Sequence, residues 1–402
     1  MKKFVNILKL FASINIVFTI ILLIFTYPNF NLDTFNKALC SFDCDWYVNI
    51  SRLGYTFKET EQSNTAFFPL FPLLLNFFSN NLVLASIFNQ IIFAISFVFI
   101  SDAFKINSKK KLVYLSTGLV LFFMIPYSES LFFLGSSLLL YGLHNKKITP
   151  LILGIFIACF SRSASLVFSI AFILLIIESV YNQRKELIKI YALSFLVVMI
   201  STFTVLYIHY LQTNDFYSYF KAQEGWEHKL SIPQLPFHSW GWQSMITDMT
   251  ALIIGIVSVI LVVQKFISHY YKSISYDGVY LFSLLYLSGI TFSIILFQGG
   301  DLHSINRYIF SSAFFLIFIN NTSNFKPQKF YFFPSIVALS LIFINRFEYI
   351  EHYIFYILLV FIYLKTIFST EKLDKWQYIG ISLLFLFQVS LILNYFNKNW
   401  VG

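Results

Sequence analysis

Apolar residues along this chain come in long, nearly uninterrupted runs separated by short polar turns. Such runs predict membrane-spanning helices rather than barrel strands, because a backbone in lipid must satisfy its own hydrogen bonds. The first run covers 4–27, and a long, partly polar loop follows over 28–65. The run 66–78 is too short to span comfortably and contains Pro69 and Pro72, so it reads as an interfacial or re-entrant helix before a span at 82–104. Two pairs of short runs come next, 112–125 with 131–143 and 148–160 with 165–177, joined through 126–130 and 161–164. The run 190–211 then delivers a second long polar loop, 212–248. Further runs lie near 249–268, 279–297, 308–320, 330–346, 350–369 and 376–396. The pattern predicts an all-α, polytopic membrane protein of about eleven to thirteen spans in one domain.

Composition narrows the class in the same direction. The 402 residues are 58% hydrophobic and 12% charged, with 51 Phe and 25 Tyr, a balance foreign to soluble globular domains. The net charge of +9 therefore need not signal nucleic acid. With the N-terminus cytoplasmic, roughly 19 of the 28 Lys and Arg fall on the cytoplasmic side, and roughly 13 of the 19 Asp and Glu on the other. The basic turns around Lys109, Lys146 and Arg184 carry this bias. Met1-Lys2-Lys3 precedes the first run without a small-residue cleavage site, so that run is expected to be retained as a span. In this topology the loops 28–65, 126–130, 161–164, 212–248 and 298–307 all face the extracytoplasmic side. Convergence of polar residues on one face suits a membrane enzyme, and a purely structural array of spans does not require it.

Candidate chemistry concentrates in those loops. Phe42-Asp43-Cys44-Asp45-Trp46-Tyr47 places two carboxylates among aromatics just beyond the first span. They are either a solvated acidic loop or a site in which Asp43 takes a proton from a hydroxyl and Asp45 contacts substrate; two residues apart, they do not share a helix face. Glu129 lies in an aqueous turn or, if at membrane depth, at a functional position. Arg162 is a lone cation in an apolar hairpin. It suits either a phosphate clamp or an ion pair with Glu129 or Asp43. His303 and Arg307 are four apart and, if helical, share a face that could grip a lipid phosphate; otherwise Arg307 is an interfacial anchor. Cys40 and Cys44 are spaced for a disulfide beside Asp43, although spacing alone does not fix its geometry. Cys159 reads as a small core residue. The scattered histidines show no metal-ligand spacing, so no metal or cofactor is expected. No Walker or GxGxxG loop is present, which argues against an ATP-driven pump and a nucleotide-sugar donor in a Rossmann domain.

Several of these pieces form an ordered pattern. Phe42-Asp43-x-x-Trp46-Tyr47, Ile50, Gly54-Tyr55 and Ala66-Phe67-Phe68-Pro69-Leu70-Phe71-Pro72 are followed by Tyr127-Ser128-Glu129-Ser130-Leu131-Phe132 and Ser161-Arg162-Ser163. Ala222-Gln223-x-x-Trp226 and Asn306-Arg307-Tyr308 complete the order. The pattern resembles the PIG-V-type GPI mannosyltransferases and their bacterial relatives, and it touches most of the chain up to about residue 320. One departure is Phe42, where that family usually has Trp. The resemblance implies a GT-C fold, a catalytic Asp in the first extracytoplasmic loop, and a polyprenyl-phosphate-linked sugar donor, usually mannose. It adds a little weight to Gln223 and Trp226, beside Trp46, Tyr47 and Glu129, as substrate contacts.

The expectation is a multi-pass membrane glycosyltransferase, in a bacterium an inner-membrane one. It passes a hexose to a hydroxyl of a glycan or glycolipid acceptor, with Asp43 as base and Arg162, Arg307 and His303 on the donor phosphate. Its partners are then the lipid-linked donor, the acceptor, membrane lipids and, as an open possibility, an accessory membrane subunit; nucleic acid is not among them. Two alternatives stay open: a transporter or flippase of a lipid-linked or small polar substrate, and a scaffold subunit of a glycosylation complex.

Overall fold

The computed structural model describes residues 2–117, 119–272, 277–321, 349–368 and 375–402. These residues form α-helices joined by short turns, and a lone β-bridge links His238 to Asp301. Among the described residues six helices are long and apolar enough to cross a membrane: α5 (Leu82–Ala103), α10 (Lys185–Thr213), α12 (Trp242–Lys272), α13 (Gly278–Phe297), Ile350–Ile367 and Lys375–Phe396. Shorter apolar helical stretches, Phe11–Thr26 within α1 (Lys2–Thr26), α8 (Ile148–Ser161) and α9 (Val167–Tyr181), pack with them. This is the architecture of a multi-pass membrane protein.

The helix faces follow the logic of a lipid solvent. In α5 the outward residues are Leu84, Ile87, Ile91 and Ile95, whereas the buried face carries Ser86, Asn89 and Ser96 beside Phe93 and Phe97. Polar side chains turn inward because only the bundle interior offers them partners. α10 repeats the pattern, with Leu196, Ile200 and Phe203 outside and Ser194, Ser201 and His209 inside.

Two of the expected runs are interrupted among the described residues. The run 112–125 is not one continuous helix: α6 (Ser108–Thr117) ends before Leu119, and a 3₁₀ turn over Val120–Phe123 leads through Pro126 into α7 (Glu129–Asn145). α7 is buried on nearly every face and forms the centre of the bundle. The run 308–320 is likewise two short helices, α14 (Ile305–Phe310) and α15 (Ala313–Asn321). α12 begins at Trp242, inside the expected loop, because Ser244, Thr247 and Asp248 face the interior and do not break the helix. The expected span at 330–346 lies outside the described residues.

Interrupted helices release backbone groups that cannot be left bare. Buried side chains take them up. Asn89 donates to the carbonyls of Ile125 (2.7 Å) and Tyr127 (2.8 Å), and Ser86 donates to that of Met124. Gln388 donates to the carbonyls of Leu115 (2.8 Å) and Ser116 (2.6 Å) at the end of α6. At the second break Ser136 accepts from the Ala313 amide at 3.2 Å.

α7 and α8 form a tight antiparallel hairpin. A β-carbon on Gly135 would lie 2.6 Å from the Ala158 nitrogen, one on Gly142 2.6 Å from the Leu151 nitrogen, and one on Gly154 would collide with the Leu139 nitrogen. The two backbones therefore touch, which sets the first residue of α7, Glu129, against the residue that ends α8, Arg162. Gly154→Val would force the pair apart, and such overpacking costs about 1–3 kcal/mol. The purified variant is expected to unfold at a lower temperature than the wild type, and an unchanged midpoint would contradict the close backbone contact.

A buried charge network as candidate functional site

Asp43 is the first residue of α3 (Asp43–Leu53). Three features hold this helix start. The Cys40–Cys44 disulfide, which the spacing had left open, closes the turn around it. Phe42 takes a positive φ of 55° and packs edge-on against Trp400, with ring centres 5.0 Å apart. The Lys398 ammonium donates to the carbonyls of Lys37 (3.0 Å) and Cys40 (2.8 Å) and to the Ser41 hydroxyl (2.7 Å).

Arg307 meets Asp43 there, and Glu129 and Arg162 continue the chain of contacts inward. Arg307, on α14, places Nη2 2.7 Å from Asp43 Oδ2 and 2.6 Å from Glu129 Oε1, while its Nε donates to the same Glu129 oxygen at 2.7 Å. Arg162 Nη1 lies 2.5 Å from Glu129 Oε1. The result is a chain of alternating charge, Asp43–Arg307–Glu129–Arg162. Glu129 is fully buried, and Arg307 and Arg162 are 3% and 7% exposed, whereas Asp43 is 21% exposed. Of the four, Asp43 is the one that opens outward. Aromatic faces box the cations: Arg307 lies 4.8 Å from the Phe122 ring centre, 5.0 Å from Tyr127 and 5.6 Å from Trp400, and Arg162 sits 4.3 Å from Tyr308. Charge-assisted bonds of this kind are strong only while every partner is present.

The other expected site residues fall into two groups. Asp45 is exposed and lies outside the network, beside the disulfide. Tyr47 is buried, its hydroxyl 3.0 Å from that of Ser128, so it braces α3 against the turn before α7. Trp46 packs on Phe67 and on Trp226, whose indole donates to the Ser63 carbonyl at 3.2 Å. Gln223 sits 3.0 Å from His228 Nδ1. His303 and Arg307 do not share a helix face, because α14 starts at Ile305 and His303 belongs to the preceding turn. Glu129 is not in an aqueous turn; it is sealed in the bundle.

His303 instead belongs to a second cluster around Asp301. Its Nδ1 is 3.2 Å from Asp301 Oδ2, His238 Nε2 is 3.6 Å from the same oxygen, and Trp240 Nε1 donates to it at 3.1 Å. Burial pushes the Asp301 carboxyl up, but the His303 hydrogen bond and charge outweigh it and hold it below the usual carboxylate range. Nearby, burial and then the neighbouring His303 push His228 down to about 4. Among the described residues no group of three or more His, Cys, Asp or Glu is arranged to hold a metal ion.

Four structural residues escaped the sequence-based selection. Asp248 is buried, accepting from the Asn306 amide (3.1 Å) and the Ser239 hydroxyl (2.5 Å), and so fixes the turn that presents Arg307. Trp400 and Lys398 follow the last helix, and Tyr127 donates to the Ser41 carbonyl at 2.7 Å. Tyr127 lay within a motif already singled out; the tail residues and Asp248 carry no local signal beyond being polar or aromatic at a helix end.

Comparison of the chain with protein-family models, with curated proteins and with solved structures finds no match. Function therefore rests on the geometry.

Removing the acid at the centre of the network exposes its weight. Glu129→Gln leaves two buried guanidiniums short of a counter-charge, which costs about 3–5 kcal/mol. A clearly lowered unfolding midpoint of the purified variant is expected. Wild-type stability would mean that the network contributes nothing to the fold.

Proposed function

We propose that the chain is a membrane glycosyltransferase of GT-C type. It transfers a hexose, with mannose the first candidate, from a polyprenyl-phosphate carrier to a hydroxyl of a glycan or glycolipid acceptor. The observation that carries this reading is the placement of Asp43: one carboxylate oxygen is held by a buried arginine, and the residue is partly open at the end of the bundle where the polar segments gather. The ordered resemblance to the mannosyltransferase motifs supplies the substrate class.

In this reading Asp43 accepts the proton of the acceptor hydroxyl as that oxygen bonds to the anomeric carbon. The bond from that carbon to the carrier phosphate breaks, and the carrier leaves as a polyprenyl phosphate. A positioned carboxylate base contributes about 10²–10⁴-fold. Both arginines are already paired with carboxylates in this structure. The first task of Arg307 is then to orient Asp43, with Arg162 balancing Glu129 beneath it, and positive charge beside the leaving phosphate is a second effect. The interrupted helices before α7 and between α14 and α15 favour a second reading, a transporter, because broken helices are a common way to build a site inside a membrane.

Sugar transfer from labelled polyprenyl-phosphate-mannose in isolated membranes tests the proposal. Asp43→Asn should lose about 100-fold or more, and Asp45→Asn should retain most of the transfer. Undiminished transfer by Asp43→Asn sinks the mechanism. Passage of label across vesicles containing the wild-type protein, with no transfer, supports the transporter.

A further inference from the structure

The segment 229–237, between α11 (Ser218–Gly225) and α12, is a strap that turns three aliphatic side chains outward while Phe237 packs inward against the core. Leu230, Ile232 and Leu235 are 73%, 89% and 64% exposed. Slack does not account for this display, because the backbone is pinned along the end of α13. The Ser231 amide donates to the Leu296 carbonyl at 2.9 Å, the Gln234 amide to Gly299 at 2.9 Å, and the His238 amide to Gly300 at 3.1 Å; the Leu302 amide returns a bond to His238 at 2.8 Å. Gly299 and Gly300 adopt φ of 61° and 107°, and a β-carbon on Gly300 would strike the Gln234 carbonyl. Two glycines thus let the strap lie directly on the turn that leads to Asp301.

What the strap adjoins identifies its occupant. The last turns of α13 expose Phe292, Leu296 and Phe297, and α13 is long and apolar enough to cross a membrane. Those side chains belong to the lipid-facing surface, and the strap continues it at the helix end. Large aliphatics held rigidly outward at that level are costly in water and favourable among acyl chains. We infer that the strap 229–237 is inserted into the lipid leaflet at the polar end of the bundle. It is a fixed anchor, with Leu230, Ile232 and Leu235 as its lipid contacts. Beyond it the chain leads within a few residues to Trp240 and the Asp301 cluster. The anchor would set that cluster near headgroup depth. The inference does not depend on the glycosyltransferase reading.

Nitroxide labels on the full chain in phospholipid vesicles test it. Cys40 and Cys44 are joined and Cys159 is buried, so an introduced cysteine is the accessible thiol. Ile232→Cys and Leu235→Cys are compared with Ile95→Cys on the lipid face of α5 and with Thr60→Cys in an exposed polar turn. Both strap labels should collide more with oxygen than with a water-soluble nickel chelate, as at position 95 and opposite to position 60. A preference for the nickel chelate at 232 and 235 would place the strap in water and overturn the inference. Shielding from both reagents would also overturn it, showing that a second copy or another protein covers the strap.

Discussion

The Glu129 carboxylate is the pivot on which the site depends. It is fully buried, and one oxygen receives both Arg162 and Arg307. Desolvating such an ion costs several kcal/mol even after relaxation, so it is stable there only because two guanidiniums converge on it. Those cations come from opposite parts of the chain, the end of α8 and the short helix α14. Satisfying one carboxylate therefore ties the tight α7–α8 hairpin to the α12–α14 region, and Arg307 passes the constraint outward to Asp43.

Much of the surrounding structure serves to make that convergence possible. α7 begins at Glu129 only because the preceding helix breaks, and the break persists only because Asn89, Ser86 and Gln388 take up its carbonyls. Arg307 is presented by a turn that Asp248 holds through Asn306. On the outer side, the disulfide, Lys398 and Trp400 confine the start of α3. A membrane interior makes each of these polar bonds hard to forgo, since water is not there to replace them.

The sequence showed part of this clearly. Hydropathy placed the long spans well, because runs such as 82–104 and 279–297 leave few alternatives to a lipid-crossing helix. Charged residues in an apolar setting are expensive, so Asp43, Glu129, Arg162 and Arg307 stood out as singular positions before any pairing was visible. Their pairing was not legible in detail. Arg162 could be matched to either Glu129 or Asp43, and the separations of 33 and 178 positions between Glu129 and its two arginines carry no directional signal in one chain. The breaks within the short runs were not legible because hydropathy registers apolar length and does not see a helix stop, such as the one before Leu119 or the one at Ser311. Asp248 was read as a loop end because a lone acid after a polar stretch looks like a boundary, when its burial belongs to the tertiary packing.

The claim at the centre of this account is that Arg307 acts on chemistry through Asp43. A double-mutant cycle on sugar transfer tests it most directly, using Asp43→Asn, Arg307→Lys and the pair. Lysine keeps the charge that balances Glu129 but loses the forked geometry that reaches both acids. If Arg307 works by orienting Asp43, each single change lowers transfer and the double variant is no worse than Asp43→Asn alone. Losses that multiply independently would contradict the account and assign Arg307 a separate role.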